Sequence, residues 1–231
     1  MEMNSKTIAE ISPINAKQTG KFPIKPIAII LAIAVVITAA LVLLIKPKKD
    51  IYVVEMEVEG YGVITMELVR TNAPATVDNF IKLAESNFYD GLTFIRAQEG
   101  FVIQGGDPLK GQSKAPEGEN VKQAASIPGE FTSNGFYKNH ISHIEGVISM
   151  ARSNDPDSAS SQFFITLGDA RASLDGKYAG FGYVDEESME VVHAIAEAMY
   201  PYADASMGFV YAVEKQVVIT DVRVVDSYNI D

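Results

Sequence analysis

Two short apolar runs carry unexpected polar residues in the segment Phe94-Ile95-Arg96-Ala97-Gln98-Glu99-Gly100-Phe101-Val102-Ile103-Gln104-Gly105-Gly106-Asp107. Arg96 lies inside the first run, Gln104 ends the second, and Gly105-Gly106 predicts a turn. Side chains alternate along an extended strand, so we expect Phe94 and Arg96 on one face, and Val102 and Gln104 on another. Two planar hydrogen-bonding groups beside apolar side chains indicate a shallow apolar site with a few placed polar groups. A salt-bridged arginine in an ordinary sheet is the alternative interpretation.

The rest of the chain after residue 50 is dominated by β patterns. Alternating or β-branched runs predict further strands at 51–58, 63–68, 146–151, 162–167, 178–184 and 217–225. Two helices are predicted, one opening at 72–76 with an apolar stripe through Val77, Phe80, Ile81 and Ala84, the other over 186–198. Residues 108–123 and 152–161 read as loops, and 199–213 has no regular pattern. Many short strands, two helices and no regular β-α-β alternation favour a barrel or sandwich capped by helices.

The N-terminal part differs sharply from this pattern. Ile27 to Ile45 is nineteen residues long with Thr38 as its only polar member. A helix of that length spans ~28 Å, close to the hydrocarbon thickness of a bilayer. We therefore predict a disordered tail at 1–25, a transmembrane helix at 26–46 and a folded domain at 50–231. A buried core helix is one alternative; a cleaved signal peptide is another, but Ala39-Ala40 is followed by more apolar chain.

The orientation of this span is weakly specified. Lys17, Lys21 and Lys25 precede it, and three further lysines at 46, 48 and 49 follow it, so the positive-inside comparison is a tie. A single N-terminal span most often leaves the following domain outside the cell. The expected location is a single-pass membrane protein with an extracytoplasmic domain.

Charge separates the same two parts. Residues 1–49 hold seven lysines and two acids, a net of +5, whereas the remainder holds 12 basic and 28 acidic residues, a net of −16, within a total of −11. A domain this acidic repels phosphate backbones, which argues against nucleic-acid binding. The chain has no cysteine, which excludes disulfides and a lipoprotein anchor.

Five motifs together resemble the cyclophilin family of peptidyl-prolyl isomerases over roughly residues 51–226. They are Phe94-x-Arg96, Gly100 to Asp107, Gly146 to Ala151, Ser161 to Ile165, and Leu174 to Gly182. They occur in the family's order and at similar spacing. The resemblance implies an eight-stranded antiparallel β-barrel capped by two α-helices. It also implies catalysis of rotation about X–Pro bonds in peptides and unfolded protein chains, assisting protein folding near the membrane, by a monomer that requires no cofactor or metal.

The resemblance also assigns site residues. It implies that Arg96 is the catalytic arginine and that Gln104 contacts the substrate backbone. The implied proline pocket and groove are formed by Phe101, Val102, Phe164 and Leu174, with Met150, Ala151, Arg152, Gln162 and Tyr178. Four positions depart from the common pattern: Val102 stands for Met, Arg152 for Asn, Tyr178 for His and Ser173 for Trp. Ser173 removes a pocket wall and an N–H donor, which implies weak binding of the cyclic peptide inhibitor cyclosporin.

Other chemistries have less support in the sequence. His140, His143 and Glu145 have a spacing possible for metal ligands, but a capped turn also explains them. Asp155 and Asp157 fit a solvated turn as well as a calcium loop. The remaining alternative is a non-catalytic proline-binding or chaperone module, suggested by Ser173 and Arg152.

Overall fold

Eight antiparallel strands form from runs rich in β-branched and other apolar residues. In this computed structural model the strands are β1 Ile51–Val58, β2 Gly62–Val69, β3 Thr93–Gln98, β4 Val102–Gly105, β5 Val147–Met150, β6 Phe163–Thr166, β7 Gly180–Val184 and β8 Val217–Tyr228. Burial alternates along β2, as expected for a strand that packs one face against a core, whereas β4, β5 and β6 are buried at all four positions. They close into a barrel in the order β1-β2-β7-β5-β6-β4-β3-β8. The predicted barrel is therefore confirmed.

The structure describes residues 48–115 and 121–230. Within those ranges, no helix has both the length and the apolar character needed to cross a bilayer. The predicted tail at 1–25 and the predicted transmembrane helix at 26–46 lie outside the described residues.

Two longer helices bury apolar stripes in the main core. They are α1 Pro74–Glu85 and α3 Met189–Met199, and a short helix, α2 Arg171–Leu174, lies between β6 and β7. The predicted stripe of α1 is fully present in the core, and α3 adds Val192, Ile195, Ala196 and Met199. The ring of Phe80 in α1 lies 5.0 Å from Tyr89, 5.3 Å from Phe181 and 5.8 Å from Phe163, measured between centroids. This aromatic cluster joins α1 to the barrel.

A β-bulge in β3 corrects one expectation. Phe94 pairs with Gly105 and Arg96 pairs with Gln104, so the register shifts between Phe94 and Arg96. The extra residue reverses the alternation. Phe94 is completely buried in the main core, whereas Arg96 lines a cleft outside that core. The prediction that these two side chains share a face is wrong for this reason.

The turn after β4 depends on Gly106. Its φ is +79°, and a Cβ at this position would lie 2.7 Å from the carbonyl oxygen of Ser161. Only glycine fits such a left-handed, tightly packed position. The Ser161 hydroxyl donates a hydrogen bond of 2.9 Å to the Gly106 carbonyl. Gly106 thus lets β4 end directly beside β6, where the cleft begins.

Candidate active site

A cleft of about 250 Å³ opens where β3, β4 and β6 meet the loops that follow β5 and α3. Its floor belongs to a small apolar cluster, separate from the main core, of Val102, Phe164, Ala170 and Leu174 with Phe101, Ala151 and Tyr178 against it. Nine predicted site residues line the cleft: Arg96, Phe101, Val102, Gln104, Ala151, Arg152, Phe164, Leu174 and Tyr178. The apolar floor and the flanking polar groups match the kind of site expected from residues 94–107.

The side chains of β4 alternate between the cleft and the main core. Val102 and Gln104 line the cleft, while Ile103 points to the opposite side and is buried in the main core. Gln104 pairs with Phe164 of β6, which brings the amide next to the apolar floor. The expectation that Val102 and Gln104 share a face is confirmed.

Arg96 holds its guanidinium through three hydrogen bonds. Nε donates to the carbonyl oxygen of Met207 at 2.6 Å, Nη2 to Oε1 of Gln98 at 2.5 Å, and Nη1 to Oε1 of Gln104 at 3.4 Å. Burial lowers the pKa of Arg96. The ordinary value for arginine is above 12, so the group stays a cation near neutral pH. The cleft therefore contains a fixed positive charge.

Gln104 is nearly buried and has a defined orientation. Its Nε2 donates to Oε1 of Gln162 at 2.9 Å, so its own Oε1 is directed to Arg96. Gln162, a predicted groove residue, is not among the residues that line the cleft, and it contacts the cleft residue Gln104 instead. Met150, also predicted, is only 1% exposed and packs in the main core. The structure does not bring Met150 to the cleft surface.

Arg152 is a second arginine that lines the cleft. Its Nε and Nη2 donate to the Lys177 carbonyl at 3.0 and 2.9 Å. Its guanidinium carbon lies 4.7 Å from the Tyr178 ring centroid and 5.1 Å from that of Phe131. Cation–π contacts of this kind hold the charged side chain flat against aromatic rings. Phe131 was not among the predicted residues.

A buried polar network supports the floor. The ring of His143 contacts Oδ1 of Asp175 through Nδ1 at 2.8 Å and Oγ of Ser149 through Nε2 at 3.0 Å. The carboxylate accepts, so Nδ1 carries the proton and Nε2 accepts from the Ser149 hydroxyl. The imidazole stacks on Phe164 with ring centroids 6.0 Å apart. His143 therefore fixes the position of a floor residue.

Three of the five side chains considered as metal ligands are held by other partners. Both ring nitrogens of His143 are engaged as described, and Glu145 contacts Nε2 of His193 at 2.8 Å. Asp157 accepts from the Gly129 N–H and from Asn134, at 2.9 and 2.8 Å. Across residues 48–115 and 121–230, no set of three His, Asp or Glu side chains could hold a metal ion.

Two residues that line the cleft, and one hydrogen-bond partner of Arg96, were not predicted from the sequence. Met207 and Phe209 line the cleft, and Gln98 binds Arg96. Met207 and Phe209 belong to residues 199–213, where no periodic pattern marks a face. Gln98 follows Arg96 by two residues in β3, which is the one signal that was available.

Comparisons with known proteins agree with this geometry. The family model described as cyclophilin type peptidyl-prolyl cis-trans isomerase/CLD matches residues 53–224. A peptidyl-prolyl cis-trans isomerase of Arabidopsis thaliana is 39% identical over 126 residues, which are 54% of this chain and 52% of the relative. One from Synechococcus elongatus is 36% identical over 135 residues, which are 58% of this chain and 82% of the relative. The chain thus spans about half of the first relative and most of the second.

A solved structure has the same fold. It is the crystal structure of a Cryptosporidium parvum cyclophilin type peptidyl-prolyl cis-trans isomerase in the presence of the dipeptide Ala-Pro. The two share 25% identity with a TM-score of 0.59, and the match covers 75% of this chain and 99% of the other.

Proposed function

This chain belongs to the cyclophilin-type peptidyl-prolyl cis-trans isomerase family, and on that premise we propose that its cleft catalyses rotation about X–Pro bonds in peptides and unfolded protein chains. The relative crystallised in the presence of Ala-Pro supports a proline-containing peptide as the ligand. Residues of the substrate on either side of the proline would lie along the open cleft.

The reaction is slow without a catalyst because amide resonance opposes rotation, with a barrier of ~18–20 kcal/mol. A hydrogen-bond donor at the prolyl nitrogen draws its lone pair out of conjugation and weakens the partial double bond. Arg96 is suited to this task because it is a permanent cation with a planar set of donors. The chemistry breaks no covalent bond, so it needs no nucleophile.

The apolar floor would bind the proline ring of the substrate. Phe101, Val102, Phe164 and Leu174 would hold the pyrrolidine ring while the preceding carbonyl turns. Gln104 would contact the substrate backbone. Binding that favours the twisted state over both planar states lowers the barrier, and each ~1.4 kcal/mol of preference gives about tenfold in rate.

One observation carries the proposal: Arg96 lines the same cleft of about 250 Å³ as the apolar side chains of Phe101, Val102, Phe164 and Leu174. The test is kcat/KM for a proline-containing tetrapeptide with the full-length chain. Arg96→Ala should lower it by about a hundredfold or more, corresponding to lost charge-assisted hydrogen bonds, and Arg96→Lys should restore little because lysine lacks the planar donors. Arg171→Ala, an exposed arginine paired with Asp169, is the matched control. An Arg96→Ala variant as fast as the parent would falsify the proposal.

A non-catalytic proline-binding module is the second candidate. It is favoured by the hydrogen bonds that already occupy two edges of the Arg96 guanidinium. Peptide binding by the parent without any acceleration of isomer exchange would identify this function instead.

We also propose that residues 26–46 anchor the chain in a membrane with the isomerase domain outside the cell, where it would act on unfolded chains as a monomer. The support is the apolar character of residues 27–45 in the sequence.

A further inference from the structure

The segment Asp204–Val210 lies alongside β3 and is hydrogen-bonded to its backbone. It belongs to the irregular stretch after α3. The Ala97 N–H donates to the Gly208 carbonyl at 2.8 Å, and the Val210 N–H donates to the Ile95 carbonyl at 2.8 Å. Gly208 has φ +79°, and a Cβ there would lie 2.6 Å from the Ala97 carbonyl oxygen. The segment is therefore held against the strand that carries Arg96.

Asp204 fixes the shape of this segment. Its Oδ1 accepts from the backbone N–H groups of Ser206 and Met207, both at 3.0 Å, and its Oδ2 accepts from the Phe209 N–H at 2.7 Å. The Ser206 hydroxyl, followed by the Met207 N–H, holds the pKa of Asp204 at about 2. Gln216 adds a bond of 2.7 Å from its Nε2 to the Val210 carbonyl. These hydrogen bonds give the segment a defined backbone conformation.

Two groups of this segment contact the guanidinium of Arg96 in the cleft. The Met207 carbonyl accepts from Nε at 2.6 Å, and the Phe209 ring centroid lies 5.4 Å from the guanidinium carbon. An arginine side chain has many rotamers, and fixing it in the one that contacts the substrate costs conformational entropy. The Met207 carbonyl and the Phe209 ring therefore restrict the guanidinium before substrate arrives, together with Gln98, Gln104 and the Phe101 ring, whose centroid lies 5.7 Å from the guanidinium carbon.

We infer that the segment Asp204–Phe209 is a positioning element for the Arg96 guanidinium, with Phe209 as its principal positioning residue. The inference rests on the proposed function, because it assigns the segment a role in that reaction. This positioning role differs from two other roles that a residue lining the cleft could have, namely direct contact with the substrate and packing alone.

The test separates these roles through kcat and KM measured independently for the full-length chain. Phe209→Leu keeps the apolar volume but removes the ring face, and it should lower kcat by about tenfold with KM within about twofold of the parent. Phe209→Tyr should restore most of kcat. Asp204→Asn, which loosens the loop without touching the cleft, should lower kcat in the same direction. Tyr202→Ala removes a 49% exposed side chain from the same stretch that does not line the cleft, and it should keep the parental kcat.

A double-mutant cycle decides whether the effect passes through Arg96. If it does, adding Phe209→Leu to Arg96→Ala should cause less than about a twofold further loss. In ¹⁵N spectra of the parent, the Arg96 Nε–H should give a resolved signal protected from solvent exchange, which Phe209→Leu broadens. Fully additive losses, or a raised KM with unchanged kcat, would overturn the inference.

The cycle also distinguishes failure of this inference from failure of the proposed function. A parent that does not accelerate isomerisation removes the proposed function itself. An active parent, an impaired Arg96→Ala variant and a Phe209→Leu variant with parental kcat would reject only the positioning role.

Discussion

At the scale of single residues, the buried His143 below the cleft floor should make the free energy of unfolding depend on pH. Burial lowers its pKa, against the opposing effect of the hydrogen bond to Asp175. The unfolded chain, with an ordinary value near 6.5, therefore takes up a proton at a higher pH than the folded chain does. The free energy of unfolding should decrease as the pH falls below about 6.5, because protonation then favours the unfolded state.

This expectation is measurable by urea unfolding between pH 7.5 and 5. His143→Gln removes the titrating group, so its deficit in stability relative to the parent should shrink as the pH falls. His193→Gln, at a histidine whose side chain is 42% exposed, serves as the control for replacing a histidine by glutamine. A deficit for His143→Gln that stays constant over this range would contradict the buried neutral imidazole.

Ser173 carries a second prediction at the same scale. It is exposed in α2, one residue before the floor residue Leu174. The resemblance noted from the sequence implies tryptophan at this position in many relatives, and an indole here would add an apolar wall and an N–H donor. Cyclosporin should bind the parent weakly, and Ser173→Trp should tighten binding by about tenfold or more by isothermal titration. The same substitution at Ala172, a neighbour on the helix, should have no such effect, and equal gains at both positions would count against the assignment.

At the scale of elements, α1 shows how a distant residue completes a helix. No side chain at its N-terminus caps it, and the carboxylate of Glu130 accepts instead from the N–H groups of Ala75 and Thr76, at 2.9 and 2.8 Å. These are orphan donors of the first turn, where a negative charge is also favourable. Glu130 is only 4% exposed, so its loss leaves buried donors without a partner.

Glu130→Ala should therefore lower the free energy of unfolding by ~1–3 kcal/mol. Glu130→Gln should lose less, because one acceptor oxygen remains. Glu85→Ala, at an exposed position near the other end of the same helix, serves as the control in thermal or urea unfolding. A Glu130→Ala protein as stable as the Glu85→Ala protein would show that the cap is dispensable.

The elements also show what the sequence could and could not predict. The eight strands and both long helices follow apolar runs or periods that the sequence shows. Of the nine cleft residues predicted from the motifs, Arg96, Val102, Gln104 and Phe164 lie on strands, and Ala151 and Arg152 directly follow β5. Phe101 precedes β4, Leu174 ends α2, and Tyr178 lies between α2 and β7. The bulge at Ile95 was not predictable, because nothing in a β-branched run marks an extra residue. Met207 and Phe209 were missed because side-chain to backbone bonds from Asp204 shape their segment, and such bonds leave no periodic signal.

At the scale of the whole molecule, the proposed anchor predicts where the chain is found. Because residues 27–45 are long enough and apolar enough to span a bilayer, the full-length chain should stay in the membrane fraction after extraction with alkaline carbonate. Deletion of residues 26–46 should release it. Protease added to intact cells should digest the domain if it lies outside. Release of the full-length chain by carbonate would contradict the anchor.

The central claim is that one cleft both holds the proline ring and brings a guanidinium to the imide bond. The most direct measurement is NMR exchange spectroscopy on an Ala-Pro peptide, because a single sample reports binding and cis/trans exchange separately. The account predicts exchange between the cis and trans signals with catalytic amounts of the parent. With Arg96→Ala, we predict that the peptide still binds to the cleft but that catalysed exchange is slower by about a hundredfold or more. Exchange at the parental rate in Arg96→Ala would contradict the account.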